Sequence, residues 1–328
     1  MRSLLSVAGG ALLAGAASGV FAQTAGTSPV YPARPIRIIV PFVPAGPTDI
    51  NARMVAQRLT EAWGQSVIVD NRPGAGGMLG TEIVAKAPPD GYTLLGANPG
   101  PLTIAPSLQP KLPYDVQRHF APVILVTHTN SVFVSHPGVP AKTIKELIAL
   151  ARARPEQLTY GSPGIGTVGH LTFELLSHMA GIRLTHVPYK GTQQGLTDLL
   201  AGQIDLRTLS IPIAVPMIKS GKVRVLGNNG LRRSPLMPDV PTLDESGLKG
   251  FESSNWNGIM APAGTPREII MRLHDEIARR VLGPAQRERL IREGYNIAAL
   301  GPEEFAAYVK ADTAKWAKVI KAAKLKPE

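Results

Sequence analysis

The chain has 328 residues, no cysteine, and 35 Lys and Arg against 24 Asp and Glu, a formal charge of +11. Without a thiol there is no disulfide, no thiolate metal site and no lipid attached through an N-terminal cysteine, so stability must come from apolar packing, of which a chain this long can build one or two cores. The positive balance does not imply nucleic-acid binding: the basic residues are scattered, and the densest set, Lys310 to Lys326, reads as a solvated face of a C-terminal helix.

In chain order, residues 1–22 read as a secretory leader. Arg2 supplies the positive start, Leu4 to Val20 is apolar and small, and Val20-Phe21-Ala22 is an acceptable cleavage site before Gln23. The stretch is short for a membrane span and its glycines weaken it as a helix, and no later segment is apolar for long enough, which predicts a soluble periplasmic protein. Short β-branched runs then alternate with amphipathic periods, the pattern of an α/β fold with mostly parallel sheets. Ile36–Val40 is a predicted strand. A helix follows near Ile50, with Ile50, Met54, Val55, Leu59 and Trp63 on its apolar face and Thr48 or Asp49 as its cap. Ser66–Asp70 and Tyr92–Gly96 are further strands, with a helix over Leu79–Ala87 between them.

From Phe120 to Ser135 the β pattern is nearly continuous, as expected of a segment that leaves one lobe and enters another. The second lobe repeats the βα pattern, with helices over Thr143–Ala153, His170–Met179 and Leu196–Ala201. Its strands are Leu158–Tyr160, Leu184–Val187, Ile204–Thr208 and Val223–Gly227. The chain returns near Phe251–Met260 and ends in helices over Pro266–Leu282 and Pro302–Lys324. The expectation is a two-lobed periplasmic-binding-protein fold, type II-like, with two crossings. Domain 1 would be residues 30–127 with 253–328, and domain 2 residues 128–252.

The chemistry concentrates in two strand–turn–helix junctions. One is Gly161-Ser162-Pro163-Gly164-Ile165-Gly166-Thr167-Val168-Gly169-His170, and the other is Pro41-Phe42-Val43-Pro44-Ala45-Gly46-Pro47-Thr48-Asp49. Each turn should aim unpaired N–H groups at one spot on the positive end of a helix, a seat for a carboxylate or phosphate. Ser162 and Thr167 add hydroxyls; His170 can donate to an anion or simply cap and pack. Gly164-x-Gly166-x-x-Gly169 matches the dinucleotide fingerprint only literally, because the segment Thr185–Lys190 lacks the acid that would hold a ribose. No His-Glu-x-x-His occurs. Pro163 removes the N–H that an esterase oxyanion hole would need after Ser162. No enzymatic constellation and no cofactor site emerge.

These stretches closely resemble one family, the extracytoplasmic solute receptors of tripartite tricarboxylate transporters, also called Bug-type receptors. The resemblance runs in family order over nearly the whole mature chain. It rests on Pro41–Arg53, Asn71–Gly77, Asp90–Leu95, Leu112–Asp115, Gly161–His170, His186–Gly191, Asp198–Asp205 and Ala261–Pro266. It implies a receptor that closes two lobes on a small carboxylate and presents it to the membrane subunits of a transporter, as a monomer and without catalysis. A receptor that signals to a membrane sensor is the alternative. The implied ligand residues are Phe42, Pro44, Ala45, Gly46, Thr48, Asp49, Ala75 and Gly76 in the first lobe, with Asp49 as cap and water organiser. In the second they are Ser162, Gly164, Gly166, Thr167, His170, Tyr189 and Asp205.

Two departures from the family pattern bear on the pocket. Val43-Pro44-Ala45-Gly46 stands where relatives carry Pro-Pro-Gly-Gly, so a positive φ at Ala45 would be strained. Asp205-Leu206-Arg207-Thr208-Leu209-Ser210 replaces Asp-Val-Met-Phe-Asp-Ser, leaving Arg207 to meet a second acid group or to face solvent.

Overall fold

The computed structural model describes residues 31–109, 111–292, 294–322 and 325; the leader read over residues 1–22 lies outside them. The first sheet starts with β1 (Ile36–Val40), whose parallel neighbours are β2 (Val67–Asn71) and β3 (Thr93–Ala97). Its other half runs antiparallel: β10 (Asn255–Pro262) pairs with β3 and with β4 (Phe120–Thr129), and β11 (Asn296–Leu300) closes the edge on β4. In the second sheet, β6 (Thr159–Ser162) pairs in parallel with β7 (Thr185–Pro188) and β8 (Leu206–Ser210), while β5 (Ser131–Ser135) runs antiparallel to β8 and to β9 (Arg224–Asn228). The sheets are therefore mixed rather than mostly parallel. The strands that carry the chain between lobes, β4, β5 and β10, must run against their neighbours to make the crossings.

The helices are α1 (Pro47–Trp63), α2 (Met78–Ala85), α3 (Ala105–Leu108), α4 (Val116–His119), α5 (Ile144–Ala153) and α6 (Val168–Ala180). They continue with α7 (Thr192–Leu200), α8 (Ile211–Lys219), α9 (Arg267–Val281), α10 (Pro284–Arg292) and α11 (Pro302–Ala322). Among the described residues no helix is long and apolar enough to cross a membrane.

α1 begins three residues before the expected start. Gly46 is its N-cap and Pro47 its first residue, a position where the missing N–H costs nothing. Ile50, expected on the apolar face, is exposed, because the buried side of α1 runs through Thr48, Asn51, Ala52, Val55 and Leu59. That polar leading edge has partners. Thr48 Oγ1 donates to Asn257 Oδ1 at 3.0 Å and accepts from Asn98 Nδ2 at 3.2 Å, and Asn51 Nδ2 donates to Thr127 Oγ1 at 2.9 Å. The start of α1 is thus fastened to β4, β10 and the residue that follows β3.

Ile39, Leu95, Leu125, Trp256 and Phe305 fill the first lobe's core. Phe133, Tyr160, Phe173, Leu206 and Phe251 pack one face of the second sheet, and Val132, Val134, Leu199, Leu209 and Ala214 the other. The lobes also share a core, in which Leu171 of α6 packs with Leu108, Trp316 and Ile320. Behind it lies a buried polar knot. Asp312 Oδ2 accepts from Trp256 Nε1 at 2.9 Å and Thr103 Oγ1 at 2.7 Å, and Lys315 Nζ lies 2.9 Å from both Asp312 and Glu252. Glu252 lies on the second crossing, so the knot ties α11 to the segment between lobes. Asp312→Ala would leave an indole N–H unpaired, the Thr103 hydroxyl with only the Pro99 carbonyl, and Lys315 with one partner fewer, a loss on the order of 3 kcal/mol. Denaturant unfolding of that variant should show it; a change below about 1 kcal/mol would mean the knot contributes little.

Candidate functional site

The loop Pro41–Gly46 leaves β1 and is bound back by a single carboxylate. Asp49 is 2% exposed; its Oδ2 accepts from the Ala45 N–H and from Arg53 Nε, and its Oδ1 from Asn71 Nδ2, each at 2.9 Å. Asn71 Nδ2 also donates to the Phe42 carbonyl at 3.0 Å. Burial alone would raise the Asp49 pKa, but the bonds from Arg53, Ala45 and Asn71 outweigh it and hold the carboxyl below its ordinary value. Ala45 does carry a positive φ, 65°. The loop therefore keeps the glycine-like conformation at a cost of about 1–2 kcal/mol, and the bond from its N–H to Asp49 helps hold it there. Pro44 and Ala45 themselves are exposed and are not part of the cavity lining described below.

Between the sheets lies a cavity of about 110 Å³. Phe42, Gly46 and Thr48 line it from the first lobe and Thr167 from the second; of the residues expected to bind ligand, these four reach it. The starts of α1, α6 and α7 converge on it through Gly46-Pro47-Thr48, Thr167-Val168-Gly169 and Gly191-Thr192. The first N–H groups of each helix have no intrahelical partner and carry the positive end of the dipole.

The glycine-rich turn before α6 spends most of its own donors within itself. Gly164 N–H donates to Ser162 Oγ at 3.2 Å, Thr167 N–H to the Gly164 carbonyl at 3.3 Å, and Gly166 N–H to His170 Nδ1 at 3.3 Å. Thr167 Oγ1 donates to the Gly164 carbonyl at 2.6 Å. The N–H groups that open α6, which have no intrahelical partner, lie one step further on, at the cavity-lining Val168 and Gly169. Ser162 is fully buried, with Oγ 2.7 Å from His186 Nε2. His170 stacks on His186, and His186 on Tyr160, with ring centroids 4.3 and 4.8 Å apart. Burial pushes His170 down to about 3, with His186 adding to the effect, and pushes His186 down to about 4. Both imidazoles are neutral at physiological pH, so His170 closes the turn and packs rather than bringing charge to a ligand.

The other expected residues take supporting places. Asp205, at the start of β8, accepts from the Thr159 N–H and hydroxyl at 2.8 and 2.9 Å, at the opposite end of the strand from the cavity-lining Ser210. Tyr189 gives its hydroxyl to Asp198 Oδ2 at 2.7 Å. Ala75 is exposed. Gly76 faces the Ile165 carbonyl across the cleft mouth, so closely that a Cβ there would lie 2.8 Å from it.

The residue whose environment the sequence left open is Arg207. It lines the cavity and is 1% exposed, and Nε, Nη1 and Nη2 all lack a hydrogen-bond partner among the described residues. Burial pushes its pKa down to about 10, so it remains a cation. It is the one charged side chain in the lining, which contains no Asp or Glu. Such a charge costs several kcal/mol of desolvation until an anion meets it. Thr129 and Thr172 add to the lining two buried hydroxyls that lack a partner among the described residues. Among the described residues no cluster of His, Asp or Glu could hold a metal.

Residues 51–325 match the family described as the tripartite tricarboxylate transporter family receptor, TctC. The chain belongs to this family. It is 37% identical over 316 residues to Protein BugT of Bordetella pertussis, covering 94% of this chain and 97% of that one. The R. palustris protein Rpa4515, solved with adipate, superposes with a TM-score of 0.87 at 35% identity, covering 91% of this chain and all of that one. MatC of Rhodopseudomonas palustris, solved with bound malate, gives 0.83 at 33% identity, covering 88% of this chain and all of the other.

The two lobes meet at backbone distance. A Cβ on Gly191 would run into the Val43 side chain on the opposite loop, although the Gly191 backbone is extended and any residue could adopt it. Gly191→Ala should therefore fold normally and hold the cleft ajar, giving a larger radius of gyration by X-ray scattering. Val43→Ala added to it should restore the wild-type profile. Identical profiles for wild type and Gly191→Ala would contradict this account of the seam.

Proposed function

We propose that this protein is a periplasmic receptor, exported by residues 1–22, that captures a small carboxylate by closing its lobes and delivers it to the membrane subunits of a tripartite transporter. In this reading it acts as a monomer, does no chemistry on the ligand and needs no cofactor. Residues 30–127 with 253–328 form one lobe and residues 128–252 the other.

The observation that carries the reading is the convergence of three helix N-termini on a cleft whose lining contains no acidic side chain. An anion there accepts charge-assisted bonds from backbone N–H groups at Thr48, Val168 and Gly169, each contributing about 1.5–3 kcal/mol. Closure excludes water and strengthens them. The adipate and malate of the two relatives are ligands of the same chemical class. A hydrolase is disfavoured because Ser162, whose hydroxyl lies against His186, is fully buried and is not part of the cavity lining.

Calorimetric titration of refolded, ligand-stripped protein against mono-, di- and tricarboxylates and amino acids tests the reading. Micromolar or tighter binding of one carboxylate class is the expected result. Silence toward every carboxylate, or a preference for uncharged solutes, would overturn it.

A further inference from the structure

Arg207 occupies an interior strand of the second sheet. Its backbone is in register with Val134 of β5 on one side and Gly161 of β6 on the other, so it cannot swing to solvent without breaking the sheet. The surroundings make room for the guanidinium without neutralising it. In α7, a Cβ on Gly195 would collide with Nη1 and crowd the Tyr189 ring. Tyr189 is the one titratable group that bears on the charge of Arg207; burial and its bond to Asp198 push it up to about 12, so it is neutral. A central strand, a helix without a side chain at the contact and an apolar ring thus hold a bare cation against the cavity.

We propose that Arg207 is a ligand-binding residue that makes this cleft select acids with two anionic groups, one bonded by the N–H groups that start α1 and α6 and the other ion-paired with the guanidinium. The inference rests on the reading of the cleft as a carboxylate receptor. If a monoacid sits at the helix starts, Arg207 stays buried and unpaired; a diacid satisfies both ends, and the difference between the two cases is the selectivity. The cavity's size agrees. At about 10–15 Å³ for each water-sized group, the roughly 110 Å³ available holds a straight-chain diacid of about seven to eleven non-hydrogen atoms. Phe42, Val43, Val168 and Ile213 supply apolar lining for its methylenes.

The test is titration calorimetry of the full chain with length-matched pairs, succinate against butyrate and adipate against hexanoate. Wild type, Arg207→Met and Gly195→Ala are compared, and each ligand-free protein is also melted. Wild type should prefer the diacid of a pair. Arg207→Met should weaken diacid binding about 100-fold or more, bring diacid and monoacid to within about threefold, and raise the ligand-free melting temperature, since it removes a buried unpaired charge. Gly195→Ala keeps the charge but fills the guanidinium's place. It too should lose the preference, which carries the test should Arg207→Met fail to fold. An unchanged diacid preference in the folded variants would overturn the proposal. So would a wild type that binds both members of a pair equally and loses both in Arg207→Met, because Arg207 would then take the ligand's sole carboxylate. Binding of neither pair by wild type would instead sink the receptor reading, and the selectivity with it.

Discussion

A cation buried without a counter-charge is the constraint around which the ligand cleft is organised. Arg207 sits where two strands from distant parts of the chain, β5 and β6, flank β8, and where α7 leaves a gap at Gly195. Several kcal/mol of desolvation are carried in the ligand-free protein, which the rest of the fold must offset through its cores and through fastenings such as the Asp312 knot. The same penalty gives an anionic ligand its advantage, because the ligand supplies what the protein withholds. Helix starts point toward this spot from both lobes, and Asp49, next in the chain to the cavity-lining Thr48, is occupied in holding a loop rather than neutralising the cleft.

Asp49 also shows how the first lobe tolerates its departure from the family pattern. With alanine where relatives carry glycine, the loop would be expected to relax out of the left-handed region. The bonds joining Asp49, Ala45, Asn71 and Phe42 keep it in place. The strain is stored in an exposed turn, while Gly46 and Thr48, one to three residues on, line the cavity.

Much of the fold was legible because β-branched runs such as Ile36–Val40 are short and bounded by turn residues. Other elements escaped for identifiable reasons. Pro212 and Pro216 disguise α8, and the arginine-rich run over residues 284–292 hides α10 and, beyond it, the edge strand β11. The start of α1 was misplaced because a side-chain cap was sought, whereas Gly46 caps it with no side chain at all. At the site, both junctions lie beside the cavity, but which N–H groups stay free depends on the side chains that turn back onto them. His170 folds back onto Gly166, and Ser162 turns toward His186 only because β6 and β7 are adjacent. Arg207 could not be placed from alternation, since Leu206, Arg207 and Leu209 are all buried and the strand has no solvent face to reveal its register.

The most direct measurement of the central claim is a crystal structure of the protein with the diacid that binds it most tightly. One carboxylate is expected on the N–H groups at the starts of α1 and α6, and the other within about 2.7–2.9 Å of the Arg207 guanidinium. A complex in which Arg207 remains without an anionic partner, or in which the ligand lies outside the cleft between the two sheets, would contradict it.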